Sequence, residues 1–165
     1  MTTRRTVLAL GALSATALLA SPAARAAECP PGGAEAVGAA LADKYAAAIN
    51  ARDTSTFAEM HAENYIQNSG RSASGLAAQI ELFKRIFAAM PDLRMKVEDR
   101  IVAGDRVVTR NSWSATHSTP IRGIAPTGKP FTFHTIDIWR VENGKFAEHW
   151  DVTDTVEVLT KLRGG

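Results

Sequence analysis

Asp137 sits where a carboxylate needs an explanation. In Phe133-His134-Thr135-Ile136-Asp137-Ile138-Trp139-Arg140, strand alternation puts it on one face with Phe133 and Trp139. A carboxylate among such neighbours has either a task or a partner. The task is that of a general base, able to take a proton from the carbon α to a carbonyl. The partner is Arg110 or Arg140, in a structural ion pair. His117, at the end of the preceding strand, either hydrogen-bonds a substrate oxygen or serves the structure. Gln67 and Asn68 are neutral donors suited to an enolate oxygen, and Gln67 equally suits a turn. Trp113, Trp139 and Trp150 either stack on a flat ligand or fill the core. His61 reads as a helix-surface or capping residue. No His-x-x-x-His or Cys pair is present, so no metal is expected. Nor is there a Ser nucleophile elbow or a phosphate-binding glycine loop.

The elements that must hold these groups are legible in outline. Val37, Leu41, Tyr45 and Ile49 recur at helical spacing and predict a helix from about Ala34 to Arg52. Asp53 or Thr54 caps a short second helix carrying Phe57 and Met60 and ending near Asn64, after which Tyr65 to Asn68 lead into a polar turn. Ser72 or Ser74 caps a third helix with Leu76, Ile80, Phe83, Ile86 and Phe87 on its buried face, stopped by Pro91-Asp92. Beyond Leu93 the period becomes two. Strands are expected over Met95–Val102, Arg106–His117, Phe131–Val141 and Phe146–Val152, with a proline- and glycine-rich excursion between Ser118 and Pro130 and a last helix over Thr155–Leu162.

Asn143-Gly144 is a hairpin turn that sets Glu142 against Lys145. Uninterrupted pairing from there puts Asp137 opposite Trp150, Trp139 opposite Glu148 and Thr135 opposite Val152, all on the concave face. His134 and His149 then lie on the other face. A bulge would swap the assignment. Helices first and long antiparallel strands afterwards make an α+β architecture.

Bulk composition is that of a soluble globular domain, with 45% hydrophobic and 22% charged residues. The first 26 residues differ: Arg4 and Arg5 precede an apolar stretch from Val7 to Ala20, and Ala24-Arg25-Ala26 is a cleavage triplet. Residues 1–26 therefore read as an export signal, twin-arginine-like in Thr3-Arg4-Arg5 but equally suited to general secretion. Residues 27–33 read as a linker and 34–165 as the domain. A periplasmic or extracellular location is expected, with no stable membrane association once the signal is removed. Cleavage removes Arg4, Arg5 and Arg25 and no acid, leaving 16 basic against 17 acidic residues. A mature chain of that balance is not a nucleic-acid binder. Cys29 is the single cysteine, so no internal disulfide forms.

Ala115-Thr116-His117, Gly123 to Lys129, Ile136-Asp137-Ile138-Trp139-Arg140, Asn143-Gly144-Lys145 and Glu148-His149-Trp150-Asp151, with Tyr65-Ile66-Gln67-Asn68 and Pro91-Asp92-Leu93 upstream, resemble the SnoaL-like polyketide cyclase, or ester cyclase, family. The resemblance implies the nuclear transport factor 2-like, or cystatin-like, roll, in which three N-terminal helices pack on a curved antiparallel sheet around a pocket. It also implies a homodimer. The enzymes of the family use a pocket Asp, without metal or cofactor, for aldol closure of a polyketide ester. The resemblance implies Asp137 as the catalytic residue, and the chemistry of His117 and Asn68 makes them the other catalytic candidates. Gln67, Trp113, Trp139, Trp150 and Tyr65 are the contacts for a small hydrophobic carbonyl compound. A binding protein using the same pocket without chemistry, or a dimerisation module with a filled cavity, are the alternative readings.

Overall fold

The computed structural model describes residues 33–70 and 72–164. Residues 1–26, read from the sequence as an export signal, and Cys29 lie outside the described residues. In chain order the elements are α1 (Ala34–Ala51), α2 (Phe57–Met60), β1 (His61–Gln67), α3 (Leu76–Ala89), β2 (Arg94–Ala103), β3 (Arg106–Thr116), β4 (Pro130–Glu142), β5 (Lys145–Thr153) and α4 (Thr155–Leu162). The strands form one curved, unclosed sheet in the order β1-β5-β4-β3-β2. All neighbours are antiparallel except β1 and β5, which run parallel.

Helix α1 buries Leu41, Ala42, Tyr45, Ala48 and Ile49, and each large apolar side chain so buried contributes about 1.5–3 kcal/mol. Val37 begins the same stripe but is 41% exposed. Gly38 permits the close approach of α1: a Cβ there would stand 2.7 Å from Val107 Cγ2. Near its other end, Asn50 donates to the Met95 carbonyl and accepts from the Met95 N–H, both at 2.9 Å. That amide substitutes for a neighbouring strand at the start of β2, an outer strand of the sheet.

Several expectations change. The second helix stops at Met60, and His61–Gln67 is a strand rather than a helix end and turn. Its two fully buried residues, His61 and Tyr65, are four apart, a spacing that fits one face of a helix or of a strand, and its pairing with β5 shifts between His61 and Ile66. The cap of α3 also differs: Gly75, at φ 101°, precedes the helix with no side-chain cap, and Ser74 Oγ instead accepts the Gln67 N–H at 3.0 Å.

The hairpin turn forms as read, with Asn143 at φ 51° and Gly144 at φ 73° and Glu142 facing Lys145. Pairing then slips by one residue. Val141 faces Phe146 but Arg140 faces Glu148, leaving Ala147 as a bulge. Asp137 therefore pairs with Asp151, Trp139 with His149 and Thr135 with Thr153. The expected pairing of Asp137 with Trp150, Trp139 with Glu148 and Thr135 with Val152 is corrected, and His149 joins the concave face. Trp150 goes to the convex side, with the Arg106 guanidinium 5.2 Å from its ring centroid. No helix among the described residues is long and apolar enough to cross a membrane.

Candidate active site

The hollow of the sheet holds a cavity of about 190 Å³. Helix α3 supplies Gln79, Leu82, Phe83 and Ile86, and Met90 and Leu93 follow it. The sheet supplies Gln67, Trp113, Phe133, Thr135, Asp137, His149, Asp151 and Thr153. Apolar groups thus cover most of the helical wall, while the polar groups are concentrated on β4 and β5.

Asp137 is at the centre of that polar wall, 5% exposed. Its Oδ2 accepts from Asn111 Nδ2 at 2.6 Å and from the Thr135 hydroxyl. Its Oδ1 meets His149 Nε2 at 2.8 Å. The hydroxyl of Thr135 in turn accepts from the Trp113 indole N–H at 3.0 Å, and Asn111 also donates to Thr109 Oγ1 at 2.9 Å. An unpartnered carboxylate buried this deeply would be costly, and three donors supply what water would otherwise provide.

The ring of His149 is held in one tautomer. The backbone N–H of Ser69, which can only donate, gives its hydrogen to Gln67 Oε1 at 3.1 Å. The Gln67 amide therefore presents Nε2 to His149 Nδ1 at 2.9 Å. Nδ1 accepts, the ring proton belongs on Nε2, and Asp137 receives it. Trp139 stacks on the imidazole at 5.0 Å and 13° and fixes its plane. The result is an ordered chain from Ser69 through Gln67 and His149 to Asp137.

The sequence-derived candidates separate accordingly. Asp137, Gln67 and Trp113 line the cavity. Trp139 lies behind it, 1% exposed, supporting His149. Tyr65 is fully buried beside His61 and outside the lining, its hydroxyl without a hydrogen-bond partner among the described residues. Asn68 is exposed, and its backbone and side-chain nitrogens meet the His149 carbonyl at 2.9 and 3.3 Å. It ties β1 to β5 and does not reach the cavity. His117 is fully buried, its Nδ1 3.1 Å from Thr127 Oγ1, and it pins the loop after β3 instead of facing a guest. Trp150 is on the opposite face, as above. The ion-pair reading of Asp137 is not met: Arg110 pairs with Asp99 at 2.6 Å, and Arg140 with Glu148 at 2.7 Å and Glu142 at 2.9 Å.

Four groups were not anticipated, Asn111 among them. His149 and Asp151 reach the cavity only because of the bulge, and the one hint in the sequence is Phe146-Ala147, two adjacent apolar residues that both point inward. Gln79, 2% exposed, lines the cavity with its Oε1 lacking a hydrogen-bond partner among the described residues. Burial and the nearby charge of Asp137 hold the Tyr45 and Tyr65 hydroxyls well above the usual phenol range, so both stay protonated. Among the described residues, no three His, Cys, Asp or Glu side chains gather to hold a metal ion.

A curved sheet folded over helices, with a deep carboxylate in its hollow, defines the nuclear transport factor 2-like roll. The chain belongs to the SnoaL-like polyketide cyclase family, whose description matches residues 39–162. TsrD from Streptomyces laurentii has a similar structure, with a TM-score of 0.71 and 29% identity over 78% of this chain and 96% of that one. AclR from Streptomyces galilaeus, provisionally described as a hydroxylase, gives 0.70 and 29% over 78% and 86%. IdmH from Streptomyces antibioticus, provisionally a polyketide cyclase, gives 0.67 and 26% over 76% and 98%. No curated protein matches the chain.

Proposed function

We propose that this protein is a cofactor-independent acid/base enzyme that closes or isomerises a small carbonyl compound of the polyketide-ester kind. One observation carries the reading: a carboxylate held by His149, Asn111 and Thr135 stands in the wall of an otherwise largely apolar cavity. Asp137 Oδ2 is occupied by two donors, so Oδ1, which meets His149 alone, is the atom that takes a proton. An intramolecular aldol closure needs only such transfers. The base removes a proton from the carbon α to one carbonyl, the enolate carbon bonds to a second carbonyl carbon, and the new alkoxide takes a proton back. No atom is lost and nothing is oxidised. Gln79, a neutral amide in the cavity wall, is suited to orient an oxygen of the guest, and Asp151 supplies a second carboxylate beside the first.

The test offers aromatic polyketide methyl esters in deuterated buffer and follows ring closure and deuterium uptake at the α carbon by mass spectrometry. Asp137→Asn is expected to keep the fold and lower turnover by about 10²–10⁴-fold. Turnover within threefold of wild type would remove Asp137 from the mechanism. A change in affinity alone, with no turnover by the wild type, would make the protein a carrier.

The family resemblance also supports a homodimer. Ile136, Ile138 and Val152, which are 50%, 37% and 71% exposed, lie with Trp150 on the convex face of β4 and β5, and contiguous apolar surface of this kind marks an interface. Ile136→Glu is expected to yield a monomer by sedimentation, and an unchanged mass would place the contact elsewhere.

A further inference from the structure

We propose that a second chamber beside the Asp137 cavity receives the far half of the same guest, and that this half ends in an anionic group met by Arg122. The inference rests on the reading that the Asp137 cavity holds a guest, and it adds the guest's shape and charge. The second chamber, about 200 Å³, is lined by Ile121, Phe131, Val158 and Leu159 among others. Met90, Phe133 and Thr153 line both spaces, so the two share a wall. Ligand pockets ordinarily span about 300–1,000 Å³. Either chamber alone falls below that range, and the pair reaches it.

The floor is a continuous row of parallel rings. Trp113 stacks on Phe133 at 5.6 Å and 5°, and Phe133 on Phe131 at 6.0 Å and 20°. Trp113 belongs to the inner chamber, Phe131 to the outer and Phe133 to both. An elongated apolar body matches such a row.

Arg122 lines the outer chamber from the loop between β3 and β4. Ile121 and Ile124 exchange backbone hydrogen bonds of 3.1 and 2.9 Å, making Arg122 and Gly123 the tip of a tight turn. Both tip residues are left-handed, at φ 46° and 80°. Asn or Gly ordinarily occupies the first of these positions, and a long side chain there is conformationally unfavourable. The loop is also tied down, since Thr119 Oγ1 donates to the Ala89 carbonyl at 3.1 Å, at the end of α3. A strained arginine is thus held at an apolar chamber that no acidic residue lines, and it has no ion-pair partner among the described residues. A guanidinium in that setting favours a carboxylate or sulfonate on the guest.

Two fluorescent probes with the same ring skeleton test this, 8-anilinonaphthalene-1-sulfonate and the uncharged N-phenyl-1-naphthylamine, titrated against the full chain. Arg122→Ala is expected to weaken the sulfonate about tenfold and the neutral probe less than twofold. Leu159→Trp, which fills the outer chamber, is expected to weaken both probes at least tenfold, while the companion Leu159→Ala keeps binding. Equal effects of Arg122→Ala on the two probes, binding untouched by Leu159→Trp, or no binding to wild type would each overturn the proposal. Asp137→Asn turnover is read separately, so either idea can fail while the other stands.

Discussion

His149 and His61 lie on neighbouring strands, are 5% and 0% exposed, and have opposite circumstances. Each nitrogen of His149 has a side-chain partner, and the ring lines the cavity beside a carboxylate. His61 gives Nδ1–H to the Phe57 carbonyl at 3.1 Å, and its Nε2 has no hydrogen-bond partner among the described residues. Phe57, Tyr65 and Phe146 surround it, with ring centroids at 5.2, 5.0 and 5.6 Å. Burial pushes the His61 imidazole down to about 4 against the Phe57 hydrogen bond, which raises it. Depth alone therefore does not make a histidine functional. What separates the two is a carboxylate within reach and open space beside it.

The same substitution at both positions sharpens the contrast. His149→Gln can still donate to Asp137 but loses the ring, and turnover is expected to fall about 10²-fold. His61→Gln is expected to leave turnover within about twofold. Equal losses, measured on folded protein, would erase the distinction. A second measurement uses stability against pH. The unfolded His61 takes a proton near 6.5 and the folded one only near 4, so the unfolded state binds more protons between those values. Stability from this group is complete above pH 6.5, declines as pH falls, and levels off below about 4. The span corresponds to about 3 kcal/mol. Denaturant titrations of wild type and His149→Gln should show that decline, and His61→Gln should show a flatter profile. Identical slopes for all three would mean His61 is not the group responsible.

The legible parts of this fold are those with local signals. Leu41, Tyr45 and Ile49 marked α1, period two marked β2 to β5, and Asn143-Gly144 fixed where the last hairpin turns. Thr135, Asp137 and Trp139 were correctly placed on one buried face, because β4 itself is regular. What escaped is non-local. β1 hides because its partner β5 lies about eighty residues away and pairs in parallel with a shift. The bulge at Ala147 hides because alternation resumes on either side of it, so counting from the turn gives a self-consistent but inverted answer. Asn111 and Gln79 carry no motif, and only packing shows that one reaches Asp137 and the other the cavity.

The extra residue at Ala147 makes the hairpin a chemical selector. Were Ala147 taken into the ladder as a paired residue instead of being bulged out, the rest of β5 would turn over, sending His149, Asp151 and Thr153 outward and bringing Trp150 and Val152 in. The backbone would barely change, yet the hollow would exchange proton-handling groups for an oily lining. Loss of Ala147 itself would only smooth the strand and keep His149 opposite Trp139, so it is the bulging of that residue, and not the length of the hairpin, that decides which side chains of β5 a guest would meet.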